Sequence, residues 1–475
     1  MSEKSKCCPS YQILDQYYNN LKYLTTYNVV ISVNDTTIGQ CLESDVYAFD
    51  TTYPRHLVLA DESLENSITN PYVVYCAQAL DEIRLDKYRD HSHYFKQMRD
   101  IDLSPSAYTS DTNTAANGWK CFGEYDGWNE IITKGFSGHY DGNEKTISNL
   151  KCITSNSVEC PSLFGAIKDG SVKNLTVEEV EISGVYNTGA IAGCVATATI
   201  ENCHSSGNIT CSNYRAGGLI GHAFDRDGSI IIKDCSSNAN VTITYSNEKE
   251  FTYAGGLIGD MQNGSILSSN VTNCTIKGQV YAGGLAGSIY RGTVADCYTS
   301  DIIINAHNSI GGLIGCIYAS STITNCHCDE VTLTGTNEFT PAGDGVGGIV
   351  GEAENTTIDG CETSGTISGY SGIGGIAGKC NTGSIKNATS TCEVSSVFYY
   401  AGGIAGLANC DIINCCSNGS ITAGSDYAGG ITGQLASGKV AQNSSSGGNI
   451  KGAGESDESS CTSYSDLSGC GKSRG

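Results

Sequence analysis

Ala282-Gly-Gly-Leu-Ala-Gly-Ser-Ile289, then Gly292-Thr-Val-Ala-Asp-Cys-Tyr298, then Ile302-Ile-Ile-Asn-Ala306, form one unit of a repeat that runs through most of the chain. Its marker is a Gly-Gly doublet, present at 217–218, 255–256, 283–284, 311–312, 347–348, 374–375, 402–403 and 429–430. Degenerate copies stand at Gly189-Ala190 and Pro161-Ser162. Most neighbouring copies lie about 28 residues apart, and inserts lengthen the steps that end at 255 and 347. A fixed period of roughly 20–50 residues marks stacked repeats, each too small to bury its own apolar face. Within the unit, Leu, Ile, Val and Cys alternate with small or polar residues, the period of a strand with one buried face. No helical period appears in the repeats.

These features predict an all-β fold: a right-handed parallel β-helix with three short strands per turn and Gly or Asn at the corners. Corner glycines are expected to supply positive φ, and the doublet to keep the wall thin. An Ile-x-Asn phrase recurs around Ile147, Val172, Ile200, Ile232, Ile266, Val294, Ile323, Ile358, Ile385, Ile413 and Val440, which predicts about eleven coils. Residues 1–95 do not repeat and read as a small α+β capping or attachment module. Tyr11–Leu21 and Val74–Leu85 are compatible with helix there, and Tyr27–Val33 with a strand. Residues 96–160 read as the entry and first coil, 161–450 as repeats and 451–475 as a polar tail.

The chain has 27 Lys and Arg against 50 Asp and Glu, a net charge of −23, which opposes binding to nucleic acid or anionic membranes. No apolar run of transmembrane length occurs, so no membrane insertion is expected. No apolar run follows Lys4 and Lys6, so no secretory signal is expected either. Of the 24 cysteines, Cys203, Cys235, Cys297, Cys326, Cys361 and Cys415 share one repeat position, where other repeats carry Ser269, Ala388 or Ser444. A place that accepts Cys, Ser and Ala needs a small buried side chain, so these are expected to be free thiols. Asn149, Asn174, Asn202, Asn325, Asn387, Asn414 and Asn443 recur beside them and read as an inward amide ladder rather than a glycan stripe. Without a second spaced ligand pair, Cys326-His327-Cys328 is a weak zinc signal, and neither metal nor cofactor is expected.

The repeat resembles the GLUG motif, found in tandem in bacterial and phage surface proteins. It stands here as Ala216-Gly-Gly-Leu-Ile-Gly, Ala254-Gly-Gly-Leu-Ile-Gly, Ile310-Gly-Gly-Leu-Ile-Gly and Ala401-Gly-Gly-Ile-Ala-Gly. The resemblance covers roughly residues 95–450. It implies a right-handed parallel β-helix in a surface-adhesive setting and no defined reaction.

Candidate binding residues are the features that break the monotony on the outside. Tyr253, Tyr281, Tyr400 and Tyr427 lie just before the doublet, with Tyr214 one place earlier, and a column of exposed rings stacks on sugars or on a protein partner. Asp225, Asp227 and Asp344 lie in the inserts, which map to surface loops. No hydrolase, metalloprotease or phosphate-loop motif is present, so no catalytic residue is expected. The sequence therefore reads as a non-enzymatic structural or binding protein, a phage tail fibre or spike or a bacterial adhesin, on a cell surface or virion. Its expected partners are a surface glycan or protein receptor, with trimerisation or end-to-end assembly open. A carbohydrate-active β-helix enzyme and a self-assembling filament subunit are the alternatives.

Overall fold

The computed structural model describes four short strands between residues 26 and 50, and then residues 56–452 except 90–91, 127–130, 157–158, 226–229, 245–250, 337–344 and 425–426. The repeats form a parallel β-solenoid of about ten turns. Strand pairs run in register from coil to coil, as in Tyr253↔Tyr281 and Ala254↔Ala282. One inward column shows the stacking: Val172, Ile200, Ile232, Ile266, Val294 and Ile323 are aligned and fully buried.

One coil earlier that column passes through Tyr140, not Ile147, and it runs back to Phe95. Ile147 pairs with Val177, in the next column along the turn. The reason is that many coils have two corners that take a residue with positive φ, so one Ile-x-Asn phrase fits either. Asn149 (φ 58) occupies one corner, and Asn174 (φ 52) and Asn202 (φ 49) occupy the other. Asn and Asp tolerate this left-handed geometry better than other non-glycine residues.

The corner asparagines do form a ladder, but it faces outward. Asn202 Nδ2 donates to Asn174 Oδ1 at 3.0 Å, Asn387 Nδ2 to Asp359 Oδ1 at 2.7 Å, and Asn414 Nδ2 to Asn387 Oδ1 at 3.3 Å. Asn325, Asn387, Asn414 and Asn443 are exposed. The amide bridges coils from outside because the inward place at the next residue is taken by the thiol. Cys203, Cys235, Cys297, Cys326, Cys361 and Cys415 are free and buried. Each thiol donates to the carbonyl two residues back, as Cys297 does to Ala295 O at 3.2 Å, and Ser269 makes the same bond to Leu267 O at 2.8 Å. Away from this ladder, Cys380 and Cys410 form a disulfide.

The glycine doublet is where the wall is thin, as expected. None of its glycines has positive φ; they are needed for space. A Cβ on Gly283 would lie 2.0 Å from Ala286 O, one on Gly284 2.0 Å from Gly312 O, and one on Gly287 2.6 Å from Gly259 O. The motif is thus Gly-Gly-x-x-Gly, with no room for a side chain at three places. Inward hydroxyls occupy part of the freed volume: Thr299 Oγ1 donates to Gly312 O at 3.0 Å and Ser205 Oγ to Gly218 O at 2.9 Å.

At the entry, strands Tyr72–Val74 and Tyr94–Gln97 pair in parallel and lead into His139–Ser148. Between them lie two short helices, Ala77–Glu82 and Asp86–Arg89. The predicted helix over Val74–Leu85 is thus shorter, because Val74 is drawn into the sheet. The predicted strand at Tyr27–Val33 is split into Thr26–Val29 and Ser32–Asp35. Tyr11–Leu21 and the tail after 452 lie outside the described residues.

Two substitutions separate these roles. Gly284→Ala must push backbone off backbone and is expected to cost about 3 kcal/mol, the upper end for overpacking, because the contact is with backbone. Cys297→Ser keeps the corner bond and is expected to cost about 1 kcal/mol or less. Denaturant unfolding measures both, and equal losses would contradict the distinction.

Candidate functional site

The Gly-Gly-x-x-Gly corner sets two outward columns side by side. The pre-glycine column, two places ahead of the doublet, runs Arg215, Tyr253, Tyr281 in register. Asn187 precedes Arg215, since Thr188 is bridged to Ala216. Ser309, Gly345 and Gly372 follow Tyr281, and then Tyr400 and Tyr427. The post-glycine column, immediately after the third glycine, runs Cys194, His222, Asp260, Ser288, Cys316, Glu352 and Lys379.

The third glycine lies so close to the preceding coil that a pre-glycine side chain can reach the post-glycine side chain one coil further on. Arg215 Nε donates to Asp260 Oδ2 at 3.0 Å. Ser309 Oγ donates to Glu352 Oε2 at 3.5 Å. A Cβ on Gly345 would meet Lys379 Cδ at 3.6 Å. The outer face is therefore read diagonally, one coil forward for each step across the corner.

Arg215 and Asp260 are only 7% and 5% exposed, so theirs is a buried ion pair. Arg215 also lies over the Tyr214 ring at 4.1 Å and the Tyr253 ring at 5.4 Å. Burial pushes the Asp260 carboxyl up, against the pull of Arg215. His222 is fully buried, with Nε2 3.4 Å from Asp260 Oδ2. Neither ring nitrogen has a hydrogen-bond partner, and burial, with the Arg215 charge, holds its pKa well below the usual histidine range. Tyr125, from the hairpin of Glu124–Asp126 and Ile131–Lys134, closes over His222 and Phe224 with ring centroids at 6.0 and 5.5 Å. Ser288, Asp260 and His222 are the residue types of a hydrolytic triad in the wrong order. Asp260 stands between the other two, so His222 is two coils from the serine hydroxyl and does not act on it as a triad histidine would. Among the described residues, no group of three or more His, Cys, Asp or Glu side chains is placed to hold a metal ion.

The predicted tyrosines are brought together in two groups rather than in one column. Tyr253 and Tyr281 stack at 5.3 Å and Phe251 lies on Tyr281 at 5.7 Å, while Tyr214 meets Tyr253 edge-on at 5.5 Å. Tyr400 and Tyr427 stack at 5.0 Å, and Tyr399 lies 5.9 Å from Tyr400. Ser309, Gly345 and Gly372 separate the groups. Tyr214, Tyr253, Tyr281 and Tyr400 are half-buried, because stacked rings cover one another's faces; Tyr427 is exposed. Asp225 is half-buried at the end of strand Ile220–Phe224, where its carbonyl accepts from Asn263 Nδ2. Asp227 and Asp344 lie outside the described residues. Sequence reading missed Arg215, His222 and Asp260. The signal was there in the place after the third glycine, which is polar or charged in coil after coil.

No family model matches the chain. It is similar to halomucin of Haloquadratum walsbyi, 28% identical over 198 residues, 36% of this chain and 2% of halomucin's length. It is also similar to a solved structure of a "putative immunoglobulin A1 protease" from Bacteroides ovatus, with 22% identity, a TM-score of 0.44, and coverage of 56% of this chain and 77% of that one. That likeness is one of fold and carries nothing about chemistry. It does correct one expectation: the solenoid was read as non-enzymatic, and a similar solved structure is described as an enzyme, so the fold gives no ground for excluding activity. The GLUG resemblance rests on the quoted residues alone. Among the described residues no helix is long and apolar enough to cross a membrane.

Two outcomes follow from the buried pair. Arg215→Met alone is expected to cost about 3–5 kcal/mol by stranding Asp260, and adding Asp260→Leu should recover most of it. Additive losses in chemical unfolding would show that the pair is not coupled. His222 stays neutral in the fold, so its contribution is present above the unfolded pKa near 6.5 and is lost as pH falls below it. Stability should drop by up to about 1.4 kcal/mol per pH unit below that point, and His222→Gln should flatten that slope.

Proposed function

We propose that the chain is a surface-recognition rod that binds a glycan on the aromatic patch of its C-terminal coils. The observation that carries this reading is the cluster of Val397, Phe398 and Tyr427, 53%, 45% and 50% exposed, joined by Tyr399 and Tyr400. Other exposed apolar side chains, such as Phe251, Tyr298 and Ile303, are spread over separate coils, whereas here three consecutive residues, Val397, Phe398 and Tyr399, are exposed beside Tyr427, and such a patch marks a contact surface. The N-terminal group of rings is less suited, since Tyr253 and Tyr281 spend their faces on each other and on Arg215.

Backbone geometry supports the same place. Tyr400 and Tyr427 have φ of 62° and 74°, while Gly345 and Gly372, their counterparts on the two coils before Tyr400, have 66° and 74°. Glycine is the unstrained solution at this corner and tyrosine costs of order 1 kcal/mol or more. Bulky rings kept where glycine fits better are kept for what they touch. The similarity to halomucin supports a cell-surface setting.

Glycan-array screening of the full chain, followed by titration of a bound glycan, tests this. Phe398→Ala with Tyr427→Gly should weaken binding by about 1–3 kcal/mol and leave the melting temperature unchanged or slightly higher. Tyr253→Ala should do the reverse. Unchanged affinity in the patch variant overturns the reading, and shortening of the bound glycan during incubation replaces it with a carbohydrate-active one.

A further inference from the structure

We propose that Cys160 and Cys194 become joined by a disulfide when the chain folds in an oxidising compartment, tying the entry coil to the coil above it. Cys160 stands directly before Pro161, whose carbonyl accepts from Gly189 N, and therefore lies in the pre-glycine column. Cys194 follows Gly193 in the post-glycine column of the next coil. The two occupy the diagonal that Arg215 and Asp260 occupy further along the rod. The same corner geometry that makes an ion pair there makes a thiol pair here.

The sulfurs are 3.1 Å apart, each the other's hydrogen-bond partner. Closing about 1 Å would reach the disulfide length. A Cβ on Gly193 would lie 2.5 Å from Cys160 Cβ, so the third glycine is what admits Cys160 to this place. The corner-ladder thiols behave differently. Cys203 and Cys297 are taken up by backbone carbonyls, at 3.3 and 3.2 Å in their own coil and at 3.6 and 3.5 Å in the coil before. Cys380 and Cys410 show that a bond between coils is compatible with this fold.

Tyr125 and Ile132 of the Glu124–Lys134 hairpin pack over Cys160 and Cys194, which are 1% and 0% exposed. The crosslink therefore forms before the hairpin closes. One thiolate attacks a small disulfide such as oxidised glutathione, forming a mixed disulfide and releasing one glutathione thiol. The second thiolate then attacks the cysteine sulfur of that mixed disulfide and releases the other. Two protein thiols are oxidised and one glutathione disulfide is reduced to two thiols.

The full chain, reduced and unfolded, is refolded in a glutathione redox buffer, alkylated, digested and mapped by mass spectrometry without reduction. The expected product is a peptide linking Cys160 to Cys194, two hydrogens lighter than its parts, beside Cys380–Cys410, with Cys203 and Cys297 alkylated. Recovery of Cys160 and Cys194 both alkylated, in a sample where Cys380–Cys410 is linked, overturns the proposal. As a second readout, reductant should lower the melting temperature of the wild-type chain by a few degrees more than that of Cys194→Ser; equal shifts also overturn it.

Discussion

Everything on the outside of this rod depends on one close approach: backbone against backbone at the Gly-Gly-x-x-Gly corner. With Cβ positions about 2.0–2.6 Å from carbonyl oxygens of the same or neighbouring coils, no other residue fits at Gly283, Gly284 and Gly287. The contact repeats in every turn, so its geometry is copied along the axis. It fixes the angle between two strands, and that angle decides which side chains meet. A stacked repeat is stabilised by its interfaces with neighbours, so a rule obeyed at each interface has leverage over the whole array.

The consequence is a diagonal pairing that takes whatever chemistry the two positions supply. Along the rod it holds a thiol pair, a buried ion pair and a Ser–Glu contact. The buried Arg215–Asp260 pair is the costliest of these, since neither charge retains much water, and the tyrosine rings of 214 and 253 complete its enclosure. The same rings spent on enclosure are lost to binding, which is why recognition is assigned to the C-terminal group, where Phe398 and Tyr427 stay open to solvent.

The repeat, the parallel stacking and the free thiols of the corner ladder were legible because each depends on residue type at a fixed period. The thin wall at the glycine doublet was legible, but which residues supply the positive-φ corners was not, since glycine and asparagine both suit them. Only the backbone shows that Asn174 and Asn202, not Gly217 and Gly218, carry the left-handed corners. The Ile147 register was misplaced because its phrase fits two corners equally well. Arg215 and His222 flank one glycine motif, but Asp260 belongs to the next repeat, so the three were not legible as a cluster. Their meeting depends on the corner angle, which no period reveals, and the predicted Tyr column broke into two groups where Ser309, Gly345 and Gly372 take its place.

The diagonal is tested most directly by giving native Cys316 a new neighbour. Tyr281 precedes Cys316 by one coil across the corner, and Tyr253 precedes it by two. With a mild thiol oxidant present during refolding, Tyr281→Cys should yield a peptide linked to Cys316, and Tyr253→Cys should leave Cys316 free. Equal linkage in both variants, or linkage in Tyr253→Cys alone, would contradict the pairing on which the outer face is built.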